Sequence, residues 1–327
     1  MKTKSFGKIY ENEATLYYIE NEKFKVAISD FGLVINEYAI KTKSGNVDIV
    51  LGFDDALSFS NSNIYAGAFI GRVANGIKDA CFYLDGKKYE LFANEEGNIC
   101  NHGGKRGFDR QFYSVVSYSD SEITFSRLSV DGEENFPANL SVKVTYTLTN
   151  NGLSIKIVGT ADGNTYFAPT VHPYFNLGGN ANGVEETIVK INATNYLVKG
   201  ESGLPEGEIQ SVKNTPYDFT EFREIGTFSY DNTFCGYEEY LATAINKKSG
   251  LKLDVYSNLK GLQLYVPNYS EEESVYGKGK TKYTKRCAFC LEPEFYPNAV
   301  NVNSFEKPLL KKGETANYYI NYFITEV

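Results

Sequence analysis

Over residues 140–149 apolar and polar positions alternate without a break: Leu140, Val142, Val144, Tyr146 and Leu148 against Ser141, Lys143, Thr145, Thr147 and Thr149. Successive side chains of a strand point to opposite faces, so a period of two predicts a half-buried strand. Asn150-Asn151-Gly152 follows, and the alternation resumes in Leu153, Ile155 and Ile157. An Asn-Gly step supplies the positive φ angles of a tight hairpin turn. The same arrangement recurs around Asp85-Gly86, around Ser249-Gly250 and in the closing stretch LLKKGETANYYINYFITEV. Hairpins are predicted at all four places. No long stretch carries an apolar period of 3.6, so helices should be few and short. Turns at irregular spacing, with no repeat of roughly 20–50 residues, speak against a propeller or solenoid. The pattern predicts an all-β chain, a large antiparallel β-sandwich of two sheets packed face to face. No linker or compositional break divides it, which predicts a single domain over residues 1–327.

Composition narrows the partners. Aromatic residues make up 15% of the chain, with 26 Tyr, 22 Phe and no Trp, which suits strands. A formal net charge of -8 offers no footprint for nucleic acid, which needs clustered Lys and Arg. No apolar run reaches the roughly 18 residues that would span a bilayer, and the first residues lack the apolar stretch of a secretory signal. A cytoplasmic protein with a small, neutral partner is expected. Cys81, Cys100, Cys235, Cys287 and Cys290 are odd in number and scattered, as expected of buried reduced thiols. Cys287 and Cys290, three apart in strand-like sequence, should point to opposite faces, away from a shared disulfide or metal. Residues 199–216 and 270–286 read as loops, either solvated surface or the rims of a cleft.

Only two histidines are present, both in unusual surroundings. His102 falls in ICNHGGKRGFDRQFY, where glycines let the backbone approach a ligand closely. His172 falls in APTVHPYFNLGG, beside Tyr174, Phe175 and Asn176, a set of ring faces and an amide suited to a sugar. Either histidine alone is compatible with a structural role. Glu292 ends the apolar run of FCLEPEFYPNAVN, and a buried carboxylate is costly unless something pairs with it or uses it. A strand-end salt bridge is the alternative. Glu294 could share its face and, about 6–7 Å away along a strand, form a glycosidase-like carboxylate pair. Pro293 and Pro297 nevertheless suggest that the strand is ending there. Arg72 in FIGRVANG offers a donor fork for vicinal hydroxyls. Asp231 in SYDNTFCG is either a binding carboxylate or an Asx turn. Gln263 and Tyr265 share one face of GLQLYVPN and could line a cleft.

In this order GRVANG, NHGG with GFDR, HPYFNL, YDNTFC, QLYVPN and LEPEFYPNAVN resemble the aldose 1-epimerase (galactose mutarotase) family nearly end to end. LPEGEI and TPYDFTEF resemble the loop that follows the family's HPYFNL strand. The resemblance implies a large β-sandwich that interconverts the α and β anomers of free hexoses. It casts His172 as general acid and Glu292 as general base; the chemistry of ring opening places them, as expected here, on opposite sides of the sugar. Arg72, His102 and Asp231 match positions that bind or orient the sugar, and Gln263 and Tyr265 resemble cleft-lining positions. The acid role asks that His172 be protonated, which a nearby carboxylate would favour. Neither metal nor cofactor is implied, and the expected state is a monomer or homodimer. Pro293 and Glu294 stand where the family usually has Thr-Gln, DNTF replaces DHNF, and GRVANR ends in Gly76. Beyond Arg106, Arg110 and residues 278–286, no Arg/Lys cluster is committed to a phosphate. The rival readings are a non-catalytic sugar-binding protein and a glycoside hydrolase, the second of which leaves both histidines idle.

Overall fold

The structure is a computed structural model that describes residues 2–43, 45–179, 182–236 and 238–327. One layer is a nine-stranded antiparallel sheet. Its spatial order is Ser114–Tyr118, Glu122–Ser129, Leu140–Leu148, Gly152–Ala161, Thr315–Glu326, Leu251–Ser257, Tyr240–Asn246, Ile188–Ile191 and Arg223–Glu224. The other layer holds two five-stranded sheets. The first runs in chain order from Lys2–Ile9 to Gly45–Asp48; the second is ordered Pro205–Ser211, Asn195–Lys199, Asp231–Cys235, Gly261–Tyr265 and Cys290–Glu294. The expected sandwich is therefore present, with one of its layers split in two.

Alternation explains how the layers meet. Val142, Val144, Ile155 and Ile157 from the large sheet share one core with Val26, Tyr38, Leu264 and Leu291 from the other layer. Polar residues at the intervening positions face outward, so burial sets the register of each strand. Among the described residues the single α-helix is Ala56–Ser60, capped by the Asp55 carboxylate at the Ser58 N–H. No helix among them is long and apolar enough to cross a membrane.

Three of the four expected hairpins form: Leu140–Leu148 with Gly152–Ala161, Cys81–Leu84 with Lys87–Glu90, and Tyr240–Asn246 with Leu251–Ser257. The fourth does not. Leu309–Leu310 pairs with Thr165–Tyr166, while Thr315–Glu326 lies at the centre of the nine-stranded sheet between Gly152–Ala161 and Leu251–Ser257. Its buried Ile320, Tyr322 and Ile324 gain far more cover there than a hairpin partner of two residues could give. Residues 199–216 also differ from expectation, since Asn195–Lys199 and Pro205–Ser211 are paired strands. Residues 270–286 contain the short pair Val275–Tyr276 and Lys282–Tyr283.

All five cysteines are free. Cys81 is half-buried and the other four are buried. Cys287 precedes the strand Cys290–Glu294, so strand alternation does not govern it, and both thiols pack into the same apolar cluster rather than onto opposite faces.

A column of buried hydrogen bonds ties the layers together. The Tyr38 hydroxyl accepts from the Leu153 N–H at 3.0 Å and donates to the Tyr322 carbonyl at 2.8 Å. The Tyr322 hydroxyl in turn donates to the Leu291 carbonyl at 3.0 Å, one residue before Glu292. Replacing Tyr322 by Phe leaves that carbonyl unpaired in a dry interior. Tyr322→Phe should cost about 1–3 kcal/mol in urea unfolding; a stability equal to wild type would show that the column contributes nothing.

Candidate active site

Three adjacent strands form the floor of a cleft of about 790 Å³. Asp231 pairs with Tyr265 and Tyr265 with Cys290; Thr233 pairs with Gln263 and Gln263 with Glu292; Gly261 pairs with Glu294. Residues directly opposite, and those two apart, share a sheet face, so these side chains stand on one side. The strand carrying Glu292 does not stop at Pro293 but runs to Glu294. The Pro293 carbonyl accepts a hydrogen bond from Thr170 Oγ1 at 2.6 Å, which joins this strand to the short strand Thr170–Val171 just before His172.

Alternation after Val171 sends His172 and Tyr174 to the cleft. Phe175 goes to the core, where its ring meets Phe289 and Tyr322. Asn176 is not free for a ligand. Its Nδ2 donates to the carbonyls of Asn182 and Cys287, and its Oδ1 accepts from the Gly178 N–H.

His172 Nε2 lies 3.2 Å from Glu292 Oε2, with both side chains almost wholly buried. Burial pushes Glu292 well above the carboxylate range, reinforced by Glu294 and Asp231. Burial also holds His172 well below the ordinary imidazole value, with His102 adding to the effect. The sequence reading asked for a protonated His172 on the far side of the sugar. Instead the two groups touch, and desolvation favours the neutral form of each. Tyr174 stacks on His172 with ring centroids 5.1 Å apart. Cys290 lies close behind: its thiol, a His172 nitrogen and a Glu292 oxygen fall within 4.8 Å of one another. That donor set suits a soft divalent cation, but burial raises the thiol well above its usual value, so a cation would first have to displace its proton.

His102 is placed by backbone pairing. Cys100–Asn101 pairs with Gly76–Ile77. The His102 N–H donates to the Asn75 carbonyl, and the Asn75 N–H donates to His102 Nδ1, both at 3.1 Å. An accepting Nδ1 puts the ring proton on Nε2, a donor tautomer. Burial lowers the pKa to about 4, against an opposing effect of Asp231, so the ring is neutral at ordinary pH. Gly103 makes the close approach possible: at its φ of +88°, a Cβ would sit 1.9 Å from the Gly71 carbonyl oxygen.

Asp231 is held at both oxygens. Gln263 Nε2 donates to Oδ1 at 2.6 Å, and Lys199 Nζ pairs with Oδ2. Thr233 Oγ1 donates to Gln263 Oε1 at 2.6 Å and lies 3.4 Å from Glu294 Oε1. Asn75 Nδ2 donates to that same Glu294 oxygen at 3.3 Å. His102, His172, Asp231, Gln263, Tyr265 and Glu292 all line the cleft. The two segments expected as rims contribute as well, through Ser202 and Leu204 from one and Glu273 from the other.

Arg72 does not join them. Its guanidinium faces away from the cleft and every N–H is spent: Nε on Ser129 Oγ, one terminal nitrogen on Pro137 O and Thr165 Oγ1, the other on the carbonyls of Ser129 and Val130. Burial lowers it to about 10. An arginine following an apolar run is equally suited to collecting carbonyls as hydroxyls, and only the surroundings decide between them. Sequence reasoning passed over Tyr65, Asn75 and Lys199. Tyr65, whose ring centre lies 4.5 Å from that of His102, sits in a run that reads as an apolar strand. Asn75 belongs to the GRVANG motif, where attention falls on the arginine. Lys199 carries no local signal, because its role exists only opposite Asp231.

The sequence profile of the aldose 1-epimerase family matches residues 15–322. A galactose mutarotase of Sus scrofa is 35% identical, over 96% of this chain and 95% of its own. An aldose 1-epimerase of Escherichia coli is 29% identical over 94% of each. Among solved structures, an aldose epimerase homologue from C. elegans superposes with a TM-score of 0.90 at 26% identity, covering 95% of this chain and 99% of that one.

Removing the Arg72 guanidinium strands several buried acceptors at about 1–3 kcal/mol each. Arg72→Leu should therefore lose roughly 3 kcal/mol or more in chemical denaturation, while the protein that remains folded keeps its sugar KM within about twofold. A large rise in KM without loss of stability would restore Arg72 to the binding site.

Proposed function

The chain belongs to the aldose 1-epimerase family, and from that premise we propose that it opens and recloses the ring of a free hexose, exchanging α and β anomers, with Glu292 and His172 carrying the protons. The observation that carries the reading is the 3.2 Å contact between Glu292 Oε2 and His172 Nε2 on the floor of a cleft large enough for a sugar.

The chemistry follows from that contact. Ring opening removes a proton from the C1 hydroxyl and delivers one to the ring oxygen, two atoms bonded to the same carbon. A base and an acid side by side on one wall serve this better than two on opposite faces. At rest the pair shares one proton in a dry environment. When a sugar binds, its hydroxyls partner the charges that burial disfavours, and the shared proton passes to His172. Glu292 accepts the C1 hydroxyl proton while His172 donates to the ring oxygen, giving the open aldehyde. Rotation about C1–C2 and reclosure return both protons, so the pair ends as it began. His102 Nε2–H as donor and Asp231 as acceptor hold the hydroxyls, with Gln263 and Tyr265 completing the wall. Glu294 is not among the side chains that line the cleft, so the Glu292–Glu294 carboxylate pair considered for a glycosidase is not presented to a sugar there.

Glu292→Gln cannot accept the proton and should lose about 10²–10⁴ in kcat while remaining folded. Polarimetry on freshly dissolved α-glucose or α-galactose reads this directly, and a wild-type rate would remove Glu292 from the mechanism. His102 titrates at about 4 and His172 lies well below the usual histidine range. Neither gains a proton as pH falls from 7 to 5, so kcat/KM should be level across that interval. An inflection near 6.5 would mean that a solvent-like histidine takes part.

A further inference from the structure

Glu294 is 1% exposed and lies outside the cleft lining, yet it sits between the groups on which the binding of a sugar depends. One route runs from its Oε1 to Asn75 Nδ2 at 3.3 Å, and from the Asn75 backbone N–H to His102 Nδ1 at 3.1 Å. The other runs to Thr233 Oγ1 at 3.4 Å, through the Thr233–Gln263 bond at 2.6 Å, to Asp231 at 2.6 Å. We infer that Glu294 is a positioning residue for this reaction: it links the His102 side of the cleft to the Asp231 side and keeps both in register with Glu292, two residues away on the same strand. This inference rests on the function proposed above.

Local sequence makes room for it. Gly261 stands directly opposite Glu294 and presents no side chain; a Cβ there would already come within 3.0 Å of Thr233 Cγ2. The carboxyl thus occupies a space bounded by Thr233 and Asn75, both hydrogen-bonding residues. Burial raises Glu294 to about 8; Asn75 and Thr233 lower it, Asp231 raises it and Lys199 lowers it. The titratable groups facing it are Glu292 on its own strand, Asp231 and Lys199 from the neighbouring strands and, through Asn75, His102. Below about pH 8 the neutral acid adds no charge beside Glu292. Above it, an ionised Glu294 opposes the carboxylate form of Glu292 that must accept the C1 proton, since Glu294 is the largest charged influence on Glu292 after burial itself.

The sign is fixed by these shifts. Proton loss from Glu294 should lower kcat as pH rises through about 8, and a residue that keeps the shape without ionising should abolish that fall. The test is polarimetry on α-glucose and α-galactose from pH 6 to 9.5, corrected for the uncatalysed rate, with wild type, Glu294→Gln and Glu294→Ala. Glu294→Gln should keep kcat at pH 7 within about threefold and lose the alkaline decline. Glu294→Ala breaks both routes and should raise KM roughly tenfold, the upper worth of a hydrogen bond between neutral groups, with kcat changed less. An alkaline decline in Glu294→Gln identical to wild type overturns the inference, as does an unchanged KM in folded Glu294→Ala. If the alanine variant does not fold, the glutamine pH profile decides. A wild-type protein that does not mutarotate sugar overturns the proposed function itself, whereas an active wild type with unmoved variants overturns only the role of Glu294.

Discussion

Glu292 is a carboxyl group 2% exposed, and the titratable side chain it contacts at 3.2 Å is a histidine that burial keeps neutral. Moving a lone carboxylate into such a place would cost several kcal/mol. The molecule avoids that cost by leaving the group protonated against His172, and this governs the rest of the site. In the proposed reaction a neutral pair sharing one proton stores a base and an acid in a single contact, each released when a polar ligand accompanies the charge. The tyrosines around it, Tyr174, Tyr265 and Tyr269, keep the dielectric low without adding charge.

Holding two groups at such a distance requires strands that do not slip. Glu292 lies on a strand paired on one side with Gly261–Tyr265 and joined on the other to the segment carrying His172, through Thr170 to Pro293 and through the Phe175–Phe289 bridge. A shift of one residue would exchange Glu292 for Leu291 and turn the core residue into the cleft. The Tyr38–Tyr322–Leu291 column ties that register to the centre of the nine-stranded sheet. Stability and function are therefore coupled through the same strand.

Residues of equal chemical promise meet different fates. Arg72 and His102 both sit in glycine-containing motifs between apolar segments. His102 spends Nδ1 on a backbone N–H and keeps the other nitrogen for the cleft, whereas Arg72 spends all its donors on carbonyls and Ser/Thr oxygens of the surrounding segments. Asp231 is exposed at its surface position, yet Lys199 and Gln263 leave it only some of its lone pairs.

Alternation of period two was enough to identify the strands, the β class and three of the hairpins, because each strand buries one face and the pattern is written residue by residue. Motif order was enough to single out His172 and Glu292. What the sequence could not supply was distance across the chain: the placing of Thr315–Glu326 at the centre of a sheet, the turning away of Arg72, the recruitment of Asn75 and Lys199, and the contact between an imidazole and a carboxyl 120 residues apart. Protonation depends on the same thing, since desolvation is a property of everything packed around a group rather than of its neighbours in sequence. The residue types set which chemistry was available; the packing of remote strands decided which groups meet in the cleft, and which charge state their burial favours.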